Sequence, residues 1–281
     1  MQAKEIYKKL DNDFIKLWHS DYWIGNMSEI ESYLTENFKE QQMWLVCDFT
    51  DEINQIFTAV FPSKKVVQQI INSGAKNAML FLHHPMIWDI RERPVFKNID
   101  SEALEEFKKN NISIYALHVP LDDFWEYSTS NNLAKVLDIE VQEKFMEYFW
   151  SMAWVIWDSK NKSIEDIKNK LEELTWHEIK VYNYGHWTIK DNKVAIIAWW
   201  WLTEWIEEIK EKWINLFITG ISNRNPHSEN AHQIAEENGI TIIWWTHYST
   251  EKFACMEMIK YFEKLWIQSE FIWDDPVLED M

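Results

Sequence analysis

Apolar residues recur along this chain with two periods. Short apolar runs at Trp44–Phe49, Gln55–Val60, Met79–Leu82, Ile112–Leu117, Val194–Ala198, Asn215–Ile218 and Ile240–Ile243 read as strands, that at Met79–Leu82 as a buried parallel one. Between them lie stretches with helical spacing and recognisable ends. Ser63 caps a helix over Lys64–Ser73 that Gly74 ends, Asp100 caps one running to Lys109, and Ser163 with Asp166 opens Ser163–Leu174. Further helices are expected over residues 1–19, Ser28–Phe38, Ser128–Leu137, Thr203–Lys212, Asn230–Asn238 and Glu251–Lys264. Residues 145–156 are aromatic and strand-like, Glu178–Tyr182 reads as a strand, and Phe271–Trp273 as an edge strand.

Strands alternating with helices predict an α/β fold with mixed, partly parallel sheets. The pattern changes near Ile139, which suggests two α/β domains. One comprises residues 1–139 plus 244–281 and carries the candidate chemistry, and the other spans 140–243.

Composition narrows the function. With 47% hydrophobic and 26% charged residues the chain is globular, and a formal charge of −18 argues against nucleic acid or an anionic membrane as partner. No apolar run approaches a membrane span, and the amphipathic N-terminus lacks the marks of a signal peptide. Two cysteines, Cys47 and Cys255, exclude a disulfide scaffold. A cytoplasmic protein is the expectation.

One count is abnormal: 19 Trp against 5 Gly, where a chain this long ordinarily has roughly 20 glycines. Gly239 ends a helix before a strand, whereas Trp213 holds the equivalent place, and Trp199, Trp200 and Trp201 occupy a strand-to-helix turn where glycine is usual. The pattern fits a gene in which UGA encodes Gly and has been read here as Trp. The alternative is a Trp-rich chain that carries backbone strain of about 1–3 kcal/mol wherever φ must be positive.

Candidate chemistry sits at three strand ends. Met79–Leu82 runs into His83-His84-Pro85, Ile112–Leu117 into His118 with Asp122 beyond, and Ile240–Ile243 into His247 with Glu251 beyond. Strand ends are where sites collect in α/β sheets. In the latter two cases a His and a carboxylate stand four residues apart, which is one face of a helical turn. Adjacent histidines on an extended chain point apart, so His83 and His84 share an ion only if the backbone bends, as Pro85 permits. A buried or surface histidine pair with no metal is the plainer reading of His83-His84 alone, and the matching groups at the other two strand ends favour the metal reading. Cys255 reads as a core residue, and His19, His177, His186, His227 and His232 as mostly surface residues, with His227 and His232 candidates to line a cleft.

The stretches LFLHHPMIW, IYALHVPLDD and THYSTEKFACMEM together resemble the Nif-three-like family, whose members carry the name GTP cyclohydrolase I type 2 homologue. TAVFPSKKVV and INLFITG add weaker likeness, and the resemblance spans roughly Trp44 to Pro276. It implies two facing α/β domains, a ring-shaped homohexamer and a dinuclear metal site. The implied ligands are His83, His84, Asp122, His247 and Glu251. His118 beside them is a proton carrier, a partner of a ligand, or a packing histidine. Mixed imidazole and carboxylate donors suit two divalent ions of Zn, Fe, Mn or Co. The implied activity is metal-dependent hydrolysis of a nucleotide-like or small phosphorylated substrate, and the alternative is a non-catalytic metal carrier or regulatory scaffold. Val119-Pro120, Thr246 and Ile221 depart from the family pattern, but none is an implied ligand.

Overall fold

The computed structural model describes all residues except 90–93, 124, 149–150, 199–202, 221–222, 225–227 and 281, so the turn at Trp199–Trp201 and His227 lie outside the described residues. The strands are β1 Trp44–Cys47, β2 Gln55–Ala59, β3 Ala78–Leu82, β4 Ile87–Trp88, β5 Phe96–Lys97, β6 Ile112–Ala116, β7 Glu140–Tyr148, β8 Ser151–Asp158, β9 Lys180–Tyr182, β10 Lys193–Ile196, β11 Leu216–Thr219, β12 Thr241–Trp244 and β13 Gln268–Phe271. The helices are α1 Ala3–Phe14, α2 Glu36–Gln41, α3 Lys64–Ser73, α4 Ser101–Lys109, α5 Val119–Asp122, α6 Thr129–Val136, α7 Ile164–Thr175, α8 Thr203–Glu211, α9 Glu229–Asn238 and α10 His247–Lys264. The chain divides into two compact units, Met1–Leu121 with Cys255–Asp274, and Asp122–Ala254 with Asp275–Met281.

The first unit holds a five-stranded sheet in the order β1-β6-β3-β2-β13. β13, β2, β3 and β6 run parallel, and β1 closes one edge antiparallel to β6. Every residue of β3 and β6 is buried, as expected of central parallel strands covered on both faces. α3 forms where expected: Ser63 Oγ accepts from Val66 N–H and Gly74 ends the helix at φ 70°. Its Val66, Val67 and Ile70 join Phe57, Leu80, Ile114, Leu104 and Phe107 in the core.

Local hydrogen bonding moves some boundaries. α1 stops at Phe14, where Ile15 turns extended, so the helix ends short of residue 19. The helix expected over Ser28–Phe38 breaks in two. Leu34 is extended, and Thr35 then caps α2 by accepting from Phe38 N–H. The edge strand is β13, starting at Gln268 instead of Phe271.

The second unit holds a six-stranded sheet in the order β7-β8-β10-β11-β12-β9. Its centre β10-β11-β12 is parallel, while β8 and β9 flank it antiparallel. Ile197, Ile206, Ile209, Phe217, Ala231, Ala235 and Ile242 form its core. The capping box on α7 is present, with Ser163 Oγ accepting from Asp166 N–H and the Asp166 carboxylate accepting from Ser163 N–H. No helix among the described residues is long and apolar enough to cross a membrane.

Among the described residues, four tryptophans have left-handed backbone: Trp44 (φ 82°), Trp176 (59°), Trp213 (60°) and Trp266 (61°). Trp176, Trp213 and Trp266 follow the ends of α7, α8 and α10 and are 86%, 73% and 96% exposed, so their rings contribute nothing to a core. Gly74 and Gly239 fill the same helix-end conformation elsewhere in the chain. At these positions the backbone asks for glycine.

Candidate metal centre

β3 and β6 are parallel neighbours in register, with Leu82 opposite Ala116, so their C-terminal ends lie together at one edge of the sheet. Leu117 N–H donates to Leu82 O, carrying the pairing one step further. His83 and His84 then follow β3, and His118 follows β6. This is why residues far apart in sequence meet. Their rings lie 4.3 Å (His83–His84), 5.2 Å (His83–His118) and 4.7 Å (His84–His118) apart between centroids. All three are buried, and one ligating nitrogen from each lies within 4.8 Å of the others. The chain bends as Pro85 permits. His83 N–H and His84 N–H donate to Ala59 O and Val60 O, and the two imidazoles stand at 67°.

Hydrogen bonds decide which nitrogens are offered. His83 Nδ1 lies 3.0 Å from Leu117 O, a carbonyl that can only accept, so Nδ1 carries the proton and Nε2 the lone pair. His118 Nδ1 lies 2.8 Å from Oδ2 of Asp21, also buried. Phe61 stacks on His84 at 4.7 Å, and Trp23 meets His84 and His118 edge-on. Three buried imidazoles at one strand edge can hold a metal ion, and nitrogen donors of this kind suit Zn, Fe, Co or Mn.

In the second unit the predicted carboxylates and His247 are likewise buried. Asp122, the last residue of α5, accepts through Oδ1 from Thr129 Oγ1 at 2.9 Å. α10 begins at His247 and not at Glu251 as its apolar spacing suggests. Thr246 supplies the reason, since its Oγ1 accepts from Ser249 N–H and caps the helix early. His247 and Glu251 thus share one helical face, Nε2 to Oε1 at 2.9 Å.

His177 braces that first turn. Its Nδ1 donates to Glu178 O at 2.8 Å, leaving Nε2 to accept from Ser249 Oγ at 3.0 Å. Burial pushes the His177 imidazole below its usual value and the nearby Lys252 ammonium down to about 8.

Several expectations change. His19 and His232 are buried, not at the surface, and His232 Nδ1 bonds Tyr184 Oη at 2.8 Å. Cys255 is a core residue, donating from Sγ to Ala59 O. The sequence does not single out Asp21, Thr129 or His177. Asp21 and His177 lie in stretches without periodicity, and nothing local marks Thr129 in its helix.

Fold and site define a mixed α/β protein with buried histidines at its strand ends that could hold a metal ion. The Duf34/NIF3 (NGG1p interacting factor 3) family profile matches residues 29–273, and the chain belongs to that family. The GTP cyclohydrolase 1 type 2 homolog of Pyrococcus horikoshii is 30% identical over 232 residues, covering 80% of this chain and 86% of the relative. That of Archaeoglobus fulgidus is 27% identical over 255 residues, covering 89% and 94%. Among solved structures, protein ybgI, of unknown function, superposes with a TM-score of 0.73 at 18% identity, covering 99% of this chain and all of the other, which is a likeness of fold.

Proposed function

We propose that His83, His84, Asp122, His247 and Glu251 hold two divalent metal ions in one centre, with His118 beside them as proton carrier. On this reading the protein is a metal-dependent hydrolase of a nucleotide-like or small phosphorylated substrate. The carrying observation is the buried triad His83–His84–His118, in which the Nδ1 hydrogen bonds of His83 and His118 put the lone pair of each ring on Nε2.

Chain continuity supports joining the carboxylates to it. Ala59 O accepts from both His83 N–H and Cys255 Sγ, and Glu251 precedes Cys255 by one turn of the unbroken helix α10, about 6 Å along its axis. Likewise Asp122 closes α5, whose Leu121 N–H donates to His118 O. Ions so bound supply Lewis acidity toward a substrate oxygen and lower the pKa of water. The protein's own part is to orient donors and exclude bulk water, and at His118 Nε2 to take or return a proton. The relatives' shared name points to the nucleotide class. A homohexamer, testable by light scattering, belongs to the same reading.

Full burial of the donors favours a second reading, a metal carrier that retains its ions without turnover. Metal content by mass spectrometry, followed by incubation of loaded protein with a nucleotide panel, separates the two. Turnover abolished by Asp122→Ala and by Glu251→Ala supports the hydrolase. Tight metal with no turnover on any substrate supports the carrier, and absence of metal uptake overturns both.

A further inference from the structure

Asp21 stands in a stretch with no regular structure between α1 and the first turns of chain that follow it, 97 residues before the histidine it touches. A buried carboxylate is costly unless paired. Asp21 is paired on both oxygens: Oδ1 accepts from Tyr22 N–H at 3.0 Å, and Oδ2 lies 2.8 Å from His118 Nδ1. The first contact fixes the carboxylate to its own backbone, and the second then fixes the ring. A carboxylate accepts and does not donate, so the shared proton sits on Nδ1 and the remaining lone pair on Nε2. The arrangement is a carboxylate–imidazole pair whose imidazole is grouped with His83 and His84. His83 reaches the same end by other means, with a backbone carbonyl in place of a carboxylate. The two differ in the acceptor: a carboxylate stands behind His118 and a backbone carbonyl behind His83.

We propose that Asp21 is a positioning residue: it holds His118 in the Nδ1–H tautomer, so that Nε2 is the nitrogen presented to the His83–His84 pair and to the ions of the proposed centre. The proposal rests on the metal reading for its consequence and on the Asp21–His118 contact for its geometry. It holds whether His118 acts as a ligand or as a proton carrier, since both uses need the lone pair on Nε2. Trp23 packs against the same ring edge-on, a contact that does not choose between the nitrogens.

Two measurements test it, on full-length protein. The first is long-range nitrogen–proton NMR of the metal-free protein, which reads the tautomer of His118 directly. Wild type is expected to show His118 protonated at Nδ1, and Asp21→Ala to lose that preference. Asp21→Asn keeps the shape of the side chain, but Tyr22 N–H holds its oxygen and its NH2 then donates to His118 Nδ1, so it is expected to move the ring proton to Nε2, and it stands in where the alanine variant does not fold. The second is Zn and Mn affinity by chelator competition. With His118 as a ligand, Asp21→Ala is expected to weaken binding by about 10- to 100-fold and Asp21→Asn by at least as much; with His118 as a proton carrier, binding is unchanged and the NMR result decides. In a His118→Ala background the Asp21→Ala change is expected to add nothing. An unchanged tautomer in Asp21→Ala overturns the proposal. So does an Asp21→Ala loss that persists in full without His118, because Asp21 then acts by another route. If wild-type protein takes up neither ion, the metal reading fails, while the NMR result still decides whether Asp21 sets the tautomer.

Discussion

Glu251 Oε1 lies 2.9 Å from His247 Nε2, one turn apart on α10, with both side chains buried. The same two atoms are the ones the proposed centre needs. Without metal they satisfy one another. In the proposed centre each would exchange that partner for an ion, so the pair would hold the two donors on one helical face, with a bonded state in the metal-free protein.

Removing either partner therefore has two separable effects. Glu251→Ala leaves the His247 ring buried beside a void, and the metal-free protein is expected to lose about 1–3 kcal/mol of stability in urea unfolding. The metal affinity is expected to collapse as well. A variant that binds Zn or Mn as wild type does removes Glu251 from the ligand set.

Thr129 touches no ion in the proposal but donates to Asp122 Oδ1 at 2.9 Å. Thr129→Val preserves shape and removes that donor, freeing the carboxylate to rotate. Metal affinity measured by chelator competition is expected to fall about 10-fold. No change would mean that α5 and the surrounding packing orient Asp122 unaided.

Trp213 ends α8 with φ 60° and its ring lies over Lys190 Nζ at 4.6 Å, a contact exposed to solvent. Trp213→Gly relieves the left-handed strain and is expected to stabilise the fold by about 1 kcal/mol in urea unfolding, as are Trp176→Gly and Trp266→Gly. Peptide mass spectrometry of protein from its native source addresses the cause: glycine at 176, 213 and 266 establishes that UGA is read as Gly there, and tryptophan at all three ends that idea.

Cys47 gives a pH dependence with a definite sign. Burial raises its thiol from 9.0 to about 12. Between those values the unfolded thiol ionises while the folded one stays protonated, so the unfolded state binds fewer protons and stability falls as pH rises. The contribution is intact below pH 9 and is lost progressively toward pH 12. Urea unfolding across that range is expected to show a shallower decline for Cys47→Ala than for wild type. Parallel declines would show that Cys47 ionises equally in both states.

How much of the fold and site is legible in the sequence follows from the range of the interactions involved. The apolar runs form β3 and β6, Ser63 and Ser163 cap their helices, and the His83-His84-Pro85 and His118 strand ends meet at one sheet edge. These depend on residues a few positions apart, or on the rule that parallel strands end together. α10 starts at His247, ahead of the Glu251 start that its apolar spacing suggests. A side-chain cap from Thr246 outweighs that spacing, and with the earlier start His247 becomes helical.

Sequence alone determined the α/β class, the strand-end placement of the candidate ligands, and the excess of Trp at positions suited to Gly, because periodicity, capping and composition are local properties. Tertiary structure alone decided that Asp21 stands behind His118, that Thr129 holds Asp122, and that His19 and His232 are interior. Those facts rest on contacts between segments that become neighbours only once the chain is packed. A lone Asp in an aperiodic segment carries no local mark of the partner it will find.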